Sequence, residues 1–331
     1  MEEVASLAAA FAPRPAAPLL LLLALALDWL TGEPLGRVHP VALAGRLIAA
    51  LECRLNRPER GERTRRARGV LLVLVVTGLA AGVGGAMAWF ARALAWGWLV
   101  ELAFVATLLA QRSMFDHARR VGRALERDGL DAARRAVGAI VGRDTQGLDG
   151  HGVARAAIES TAENFADGVV APAFWYLLLG PAGIAAYKAI NTLDSMVGYR
   201  DARFRAFGWC AARLDDVANW LPARLAALLL ILGAAFTPTA APWRALVTVL
   251  RDSARHASPN AGWPEAAMAG ALGLALNGPR AYGGAAGDQP WIGQGRARAT
   301  AADIRRALFL YAVACALVAA PAGAIALAWP T

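Results

Sequence analysis

The sequence has little charge for a chain of its length. Charged residues make up 18% of its 331 residues, hydrophobic residues make up 57%, and the mean hydropathy is positive. A soluble protein of this size needs more charge to cover its surface, which argues against an arrangement of two or three soluble domains. Several apolar runs are long enough to enter or span a bilayer. The composition therefore predicts an integral membrane protein.

Cysteine is also scarce, and the familiar nucleotide and metal motifs of soluble enzymes are absent. Cys53, Cys210 and Cys315 are far apart and form no CxxC pair, so the sequence indicates neither a disulfide framework nor a zinc site. It contains no Walker A loop, GxGxxG fingerprint, HExxH motif or serine-nucleophile elbow. The four histidines are scattered. An active site in this chain must therefore be built from other residues.

Lysine is nearly missing, because Lys188 is the only lysine among 34 basic residues in a chain of net charge +9. Nucleic acid is one partner for such a charge, but no nucleic-acid-binding motif accompanies it, and we predict no such partner. In a membrane protein, arginine marks cytoplasmic loops and contacts anionic lipid. A lone lysine suggests a compact charge that approaches a phosphate end-on. The alternative is that Lys188 lies on a solvated face and is a lysine only by chance.

The apolar runs and their breaks predict helices, and no strand alternation of useful length occurs. Two helices that join near Arg92 are expected within 69–110, and the other expected helices are a first membrane helix at 17–30, an amphipathic helix at 41–55 and a last span at 307–329. The runs 169–187 and 221–241 are also apolar, but prolines interrupt or bound them. Whether those two runs span the membrane, or are buried or re-entrant, stays open at this point.

Arginine placement predicts the topology. Residues 54–68 hold a dense arginine cluster, which the positive-inside rule puts in the cytoplasm. A hairpin over 69–110 would return the chain to the same side, where the amphipathic, arginine-rich residues 111–167 follow. We therefore predict one membrane-embedded domain over 1–331 with 111–167 as a cytoplasmic helical insertion. The fold class is all-α and polytopic, with amphipathic and re-entrant or buried helices around a cytoplasm-facing polar site.

Polar blocks next to apolar runs are functional candidates, because ionisable groups are costly there. In the first block, Glu159 and Glu163 are four residues apart and share a helical face. Their repulsion is relieved by a divalent cation, and Mg²⁺ takes carboxylate oxygens together with substrate phosphates. Asn164 and Asp167 belong to the same block. The alternative is a solvated acidic face, with Arg155 neutralising Glu159.

Three further blocks carry the same kinds of residue. In the second, Lys188, Asn191 and Ser195 fall on one helical face with Asp194 adjoining. In the third, paired aspartates suit a cation or an arginine. The fourth indicates a rigid loop before a helix that starts at Pro264, and a plain structural turn explains it equally well. The remaining candidates in these blocks are Tyr199, Arg200, Arg213, Asp215, Asp216, Asn219, Asn260 and Glu265. The residues alone thus indicate a membrane protein with an acidic, lysine-containing site for phosphates and a divalent metal.

These blocks, together with several shorter strings, resemble the adenosylcobinamide-phosphate synthase family of cobalamin biosynthesis (CbiB or CobD). The resemblance runs from about residue 25 to 310, and Glu33 stands where the family more often has Asp. The strings at 187–200 and 260–270 are specific to this family. The other matching strings are Asp28 with Gly32-Glu33-Pro34, His39-Pro40-Val41, Gly45-Arg46-Leu47-Ile48 and Gly142-Arg143-Asp144-Thr145.

The resemblance implies an acid–amine ligase that uses ATP and Mg²⁺. It would join adenosylcobyric acid to (R)-1-amino-2-propanol or its O-phosphate, through an acyl phosphate, and give adenosylcobinamide or its phosphate. It also implies a multi-pass protein of the bacterial inner membrane whose active site faces the cytoplasm, in contact with the lipid bilayer and with room for a complex with other corrinoid-pathway enzymes.

On these grounds the candidate site residues fall into three groups. The catalytic candidates are Lys188, Asp194 and Glu163. The metal candidates are Glu159, Glu163, Asp167, Asp215 and Asp216. The substrate-binding candidates are Asp144, Asn164, Asn191, Ser195, Tyr199, Arg200, Arg213, Asn219, Asn260 and Glu265. Two other functions remain open: a membrane transporter of corrinoids or ions, which also places charged residues near spans, and a purely structural partner in a biosynthetic complex.

Overall fold

A computed structural model describes residues 15–32, 39–142, 144–278, 280–282, 285–287 and 289–328. The chain is helical throughout most of this part, which confirms the predicted all-α class. The helices are α1 (Ala17–Thr31), α2 (Pro40–Leu55), α3 (Glu62–Ala93), α4 (Gly97–Leu108), α5 (Gln111–Arg123), α6 (Leu130–Gly138), α7 (Gly150–Phe165), α8 (Ala171–Val197), α9 (Trp209–Ala218), α10 (Trp220–Ala235), α11 (Pro242–Asp252), α12 (Gly262–Leu272) and α13 (Ala301–Ala328).

Four short strands lie between α12 and α13. They are β1 (Leu276–Asn277), β2 (Arg280–Tyr282), β3 (Ala285–Gly287) and β4 (Trp291–Ile292). They form two antiparallel pairs, β1 with β4 and β2 with β3. A strand of two or three residues is too short to show an alternation of apolar and polar residues in the sequence.

The chain divides into two compact units. The first holds the chain up to Ala110, Ala171–Asn219 and the end from Pro321, and the second holds Gln111–Val170 and Trp220–Ala320. The predicted insertion 111–167 thus lies in the second unit with the later helices. Its cytoplasmic location stays a prediction.

In the first unit, α3 packs along α8. The close approach depends on glycine, because a Cβ at Gly84 would lie 2.3 Å from the carbonyl oxygen of Pro181. Ile48, Leu72 and Leu193 form a buried core between α2, α3 and α8. This core fixes the position of the polar C-terminal half of α8.

In the second unit, α12 packs against α10 and α11. Phe165 and Tyr311 meet edge to face with ring centroids 5.7 Å apart, and the Tyr311 hydroxyl donates to the carbonyl of Gln111 at 3.1 Å. Both rings are fully buried. Side chains from α5, α7 and α13 thus form one core.

Three helices are long and apolar enough to cross a membrane, among the described residues: Glu62–Ala93, Gly97–Asp128 and Gly150–Val197. Trp209–Ala218 and Trp220–Ala235, taken as one bent span, would be a fourth. The apolar window of Glu62–Ala93 is only 22% buried, whereas that of Gly150–Val197 is 56% buried. Glu62–Ala93 therefore turns most of its surface outward, and Gly150–Val197 is largely an internal helix.

Most predicted helices are confirmed with small shifts of their ends. The expected helices at 17–30 and 41–55 are α1 and α2, and the pair in 69–110 is α3 and α4 with a turn just after Arg92. The fourth block begins its helix at Gly262, two residues before Pro264. The turn residues Glu33 and Pro34 lie outside the described residues, and α13 as a span stays a prediction.

The largest difference from the sequence prediction concerns the apolar run 169–187. Its helix does not stop there but continues to Val197 across a break, where Gly180 has φ 64° and Pro181 follows. Glycine adopts this left-handed conformation without the steric cost of a side chain. The continuation carries the second polar block on the same helix as the apolar run.

Candidate functional site

The first unit gathers the second and third polar blocks where α8 packs against α9. The indole nitrogen of Trp175 donates to the carbonyl of Ala218 at 3.1 Å and ties the two helices together. The Tyr187 hydroxyl donates to Oδ1 of Asn219 at 2.9 Å, and Nδ2 of Asn219 donates to Oδ2 of Asp215 at 3.0 Å. Tyr187 and Asn219 are buried. This chain of hydrogen bonds holds the Asp215 carboxylate in a fixed orientation.

Three aspartates interact in this cluster. The charge of Asp194 on α8 acts on both Asp215 and Asp216 on α9. Arg213 partly offsets the charge, since its guanidinium lies 3.2 Å from Oδ2 of Asp216. Oδ1 of Asp215 is buried and has no well-formed hydrogen bond from the described residues, although the Asn191 side chain lies close enough to act on the carboxylate. A cation or a proton donor on a ligand would satisfy this oxygen and relieve the repulsion.

The side chains of the described residues do not form a complete metal site by themselves. The described residues contain no group of three or more histidine, cysteine, aspartate or glutamate side chains placed to hold a metal ion. Mg²⁺, however, commonly takes only one or two carboxylates together with waters and substrate phosphates. The five metal candidates therefore stay a prediction.

Lys188 is half-buried on α8, on the wall of a cavity of about 270 Å³. The cavity is lined by α2, α3, α4 and α8, and its described lining is apolar apart from Lys188 and Thr192. The Thr192 hydroxyl donates to the carbonyl of Lys188 at 2.6 Å. An ammonium group in such surroundings is costly unless an anion or a hydrogen-bond acceptor meets it. The alternative for Lys188, a lysine on a solvated surface, therefore describes this position poorly.

The other candidates of the second block lie at the end of α8 and after it. Ser195 is exposed and donates to the carbonyl of Asn191 at 2.8 Å. Tyr199 and Arg200 are exposed and follow the helix. Their position at the rim of the aspartate-bearing helix end is compatible with substrate contact, and the substrate-binding role stays a prediction.

The first block lies in the second unit, and its two glutamates have different surroundings. Glu159 is buried, and its Oε1 accepts the backbone N–H of Asn277 at 2.7 Å, whereas Glu163 is exposed. Arg155 donates to the carbonyl of Ala297 and stacks over the Trp291 ring. A solvated acidic face thus describes Glu163 but not Glu159.

The remaining candidates in the second unit make local contacts. Asn164 donates to the carbonyl of Ser160 at 2.9 Å, and Asp167 lies in the π-helical turn Ala166–Val170 that follows α7. Asp144 is exposed and accepts the backbone N–H of Gln146. Its neighbour in the matching string, Arg143, lies outside the described residues.

The fourth block is more than a turn. Arg224 on α10 donates to Oδ1 of Asn260 at 2.9 Å, and its guanidinium lies between the rings of Trp220 and Trp263, at 4.6 and 4.5 Å. Cation–π contacts of this kind stabilise a desolvated arginine. Glu265 is buried, 3.6 Å from Nε2 of His256. Sequence spacing could not have paired Arg224 with a loop 36 residues away.

Sequence reasoning also missed several buried carboxylates outside the four blocks, among them Glu101 and Asp252. Glu101 lies inside the apolar helix α4 and accepts the Tyr176 hydroxyl at 2.8 Å. Asp252 ends α11 and accepts two hydrogen bonds from Arg251 and one from the backbone N–H of Gly293. For Glu101 a signal was present, since a carboxylate within an apolar run is a functional candidate.

The structure therefore sorts the predicted residues into two groups. The first unit holds Lys188, Asn191, Asp194, Ser195, Tyr199, Arg200, Arg213, Asp215, Asp216 and Asn219, and the second holds Asp144, Glu159, Glu163, Asn164, Asp167, Asn260 and Glu265. Within the first group, the three aspartates with Asn219 and Tyr187 are brought together. That cluster is the candidate site with the clearest geometry.

The chain is similar to known proteins over most of its length. It matches the family described as CobD/Cbib protein over residues 21–311. The Cobalamin biosynthesis protein CobD of Sinorhizobium sp is 48% identical over 316 residues, covering 93% of this chain and 98% of the relative. That of Rhizobium meliloti (strain 1021) is 46% identical, covering 91% and 94%. That of Rhodobacter capsulatus is 46% identical, covering 88% and 90%.

No solved structure matches the chain. The family match and the identity to its relatives confirm the resemblance found in the sequence. The chain belongs to the CobD/Cbib protein family.

Proposed function

We propose that this protein is an ATP- and Mg²⁺-dependent amide ligase that joins adenosylcobyric acid to (R)-1-amino-2-propanol or its O-phosphate. The observation that carries the proposal is the family membership over residues 21–311, which gives the chain a role in cobalamin biosynthesis. The product would be adenosylcobinamide or its phosphate.

The chemistry that we propose has two steps. A carboxylate oxygen of the corrinoid attacks the γ-phosphorus of ATP, the bond from that phosphorus to the β-phosphate oxygen breaks, and ADP leaves with an acyl phosphate formed. The amine nitrogen then attacks the acyl carbon, a C–N bond forms, inorganic phosphate leaves and the amine loses a proton. Phosphoryl transfer requires positioning and charge neutralisation more than covalent help from the protein. One carboxylate suffices as general base for the second step.

The aspartate cluster of the first unit fits the needs of a metal–nucleotide site. Oδ1 of Asp215 is buried without a well-formed hydrogen bond from the described residues, the Asn191 side chain lies beside the carboxylate, and the charges of Asp194 and Asp216 act in the same cluster. We propose that Asp215 and Asp216 hold Mg²⁺ and that Asp194 accepts the amine proton. Bound Mg²⁺ would supply charge neutralisation at the phosphates. Asn219 and Tyr187 would keep Asp215 oriented through their hydrogen bonds.

We also propose a role for Lys188 and, separately, for the carboxylates of the second unit. The Lys188 ammonium would contact a phosphate of ATP or of the acyl phosphate. In the second unit, Glu163 is exposed, whereas Glu159 is buried and accepts the N–H of Asn277. Metal binding by Glu159, Glu163 and Asp167 stays a prediction.

The test is ADP release by protein purified in detergent. We expect repeated turnover only when corrinoid, amine and Mg²⁺ are all present, because without the amine ADP release stops at one acyl phosphate per site. Asp215→Asn should lose about 10²–10³ in rate, the cost typical of a lost transition-state charge contact. Asp131→Asn removes an 80% exposed carboxylate on α6 and is the matched control. Corrinoid movement across vesicles without ADP release would favour the transporter instead, and no turnover under any condition would favour the structural partner.

A further inference from the structure

Helix α11 has an exposed apolar stripe that no other part of the described chain covers. Trp243 is 72% exposed, Val247 37% and Leu250 75%, and their spacing of four and three residues sets them on one face. The opposite face holds Ala245, Thr248, Val249 and Asp252, all buried. That face packs on α12, where a Cβ at Gly270 would lie 2.5 Å from the carbonyl oxygen of Arg244. The helix is therefore fixed on the second unit with its apolar stripe outward.

A cationic cavity adjoins this stripe. It has a volume of about 330 Å³, and its lining includes Arg244, Thr248 and Arg251 from successive turns of α11, with Gln294 opposite. Trp243 and Val247 line the same cavity, so the apolar stripe and the cationic wall are contiguous. Nε and Nη2 of Arg251 donate to Oδ1 and Oδ2 of Asp252 at 2.8 and 2.6 Å. These two hydrogen bonds fix the position of the guanidinium group.

The charge beside the stripe is net positive. Arg244, Arg251 and Arg255 lie on α11 and the turn Ser253–Arg255. Asp252 is the single carboxylate among the described residues of these two elements, and it pairs with Arg251 and Arg255. Asp252 is 1% exposed, with its oxygens taken up by arginines and the N–H of Gly293. The outward side of the cavity thus offers arginine N–H groups to an anion.

We propose that α11 lies in the membrane–water interface and that the cavity takes the phosphodiester headgroup of an anionic phospholipid. Such a lipid has an anionic phosphate, which the arginines of the cavity would bind, and acyl chains, which would cover the apolar stripe. A free phosphate would fill the cavity but leave the stripe in water. The preceding helix α10 also exposes Leu228 and Leu232, and Phe236 directly after it is exposed too, so the same unit has further exposed apolar surface.

The test is lipid binding by purified full-length protein, measured by native mass spectrometry with phosphatidylglycerol and phosphatidylcholine. Wild-type protein should retain phosphatidylglycerol in preference to phosphatidylcholine. Arg244→Gln with Arg251→Gln should weaken that binding about 30-fold, because each arginine near an anionic surface contributes about 1 kcal/mol. Arg127→Gln with Arg135→Gln removes the same charge from exposed positions in the second unit and should leave the preference intact.

Three further arms keep the result interpretable. Arg244→Gln alone leaves the Arg251–Asp252 pair in place and should weaken binding about fivefold. Leu250→Gln, which adds no charge, should weaken retention of long-chain but not of short-chain phosphatidylglycerol. Inorganic phosphate at millimolar concentration should not displace the lipid. Equal lipid binding by the Arg244 variants and the control, or displacement by inorganic phosphate, would overturn the proposal.

Discussion

At the scale of single residues, burial separates side chains that look alike in the sequence. Glu159 and Glu163 are four residues apart on α7, yet Glu159 is buried against the backbone of Asn277 and Glu163 is exposed. Neutralising each of them should therefore have different consequences. Glu159→Gln removes the charge from a buried contact and puts an amide N–H₂ donor in place of one oxygen, so it acts on folding, whereas Glu163→Gln acts at the surface.

Lys188 provides the first prediction at this scale. Lys188→Ala should lose about 10²–10³ in turnover if its ammonium contacts a phosphate. Lys188→Arg should rescue poorly, because the guanidinium is a planar fork that prefers bidentate partners and Lys188 lines a mostly apolar cavity of about 270 Å³. Turnover of both variants in detergent is the measurement.

Each other outcome for Lys188 has a definite meaning. Normal turnover of both variants would mean that the ammonium meets solvent, and the rarity of lysine would be an accident of composition. An inactive alanine variant with a near-native arginine variant would mean that the site needs positive charge without a compact shape.

Asp252 provides a prediction about pH. Hydrogen bonds from Arg251 hold the pKa of Asp252 below its ordinary value, against the effect of burial, with help from the N–H of Gly293 and from Arg255. A carboxyl with a lowered folded-state pKa contributes stability that is fully present above its unfolded pKa, about 3.9, and is lost as the pH falls through the lower folded value.

The variant Asp252→Asn should therefore unfold more easily than wild type by about 1.5–3 kcal/mol, the range for hydrogen bonds to charged groups. That difference should stay constant from pH 7 to about pH 4 and shrink below it. Thermal unfolding in detergent across this range checks the expectation. A difference that grew as the pH fell would contradict the assignment, and Asp131→Asn, in an exposed pair, should show almost none.

At the scale of elements, apolar length and its boundaries carried most of the fold prediction. The helices in 41–55 and 69–110 were predictable because an apolar or amphipathic run ends there at arginines or a turn. The course of α8 was not, because Gly180 and Pro181 break its geometry without ending the helix. The contact of Glu159 with Asn277, 118 residues away, leaves no trace in local spacing.

In the candidate site, too, contacts within one helix were predictable from the sequence and contacts between helices were not. Spacing of four residues correctly put Asp215 next to Asn219, and their side chains are hydrogen-bonded. The approach of Asp194 to these residues depends on how α8 packs against α9, and that packing is set by side chains such as Trp175 in the apolar part of the helix. Pairing between helices was therefore beyond what the sequence pattern could predict.

Helix α3 allows a matched test of packing. A Cβ at Gly84 would lie 2.3 Å from the carbonyl oxygen of Pro181, whereas a Cβ at Gly82 would meet nothing within 4 Å. Gly84→Ala should destabilise the protein by about 1–3 kcal/mol, because overpacking forces the backbone apart. Gly82→Ala should be neutral or stabilising by about 0.5–1 kcal/mol, since alanine favours helix. Equal melting temperatures for the two variants in detergent would refute the close packing of α3 on α8.

At the scale of the whole molecule, the distribution of exposed apolar residues agrees with a membrane protein. Leu74, Val83 and Trp89 along α3 are 65%, 57% and 73% exposed, and a lipid environment makes such apolar exposure favourable along a helix. The arginines meanwhile concentrate in 54–68 and 111–143. Lipid-facing helices and arginine-rich segments thus alternate along the first 143 residues.

This alternation leads to the topology prediction. The chain leaves the arginine-rich residues 54–68 along α3, turns after Ala93 and returns along the apolar helix that begins at Gly97. Two crossings bring it back to the starting side, and the positive-inside rule makes that side the cytoplasm. Single cysteines at Arg60→Cys and Asp128→Cys, on a background without Cys53, Cys210 and Cys315, should therefore react with an impermeant maleimide from the same side in inverted membrane vesicles.

Ala93→Cys, at the exposed end of α3, supplies the internal control. It should react in right-side-out cells and stay protected in inverted vesicles, the reverse of the other two positions. Since all three cysteines lie on exposed residues or in a short turn, differences in reactivity report the side of the membrane rather than burial in the protein. Labelling of positions 60 and 128 from opposite sides would mean that α3 and the helix from Gly97 do not form a membrane hairpin. The 111–167 segment would then face away from the cytoplasm and from ATP.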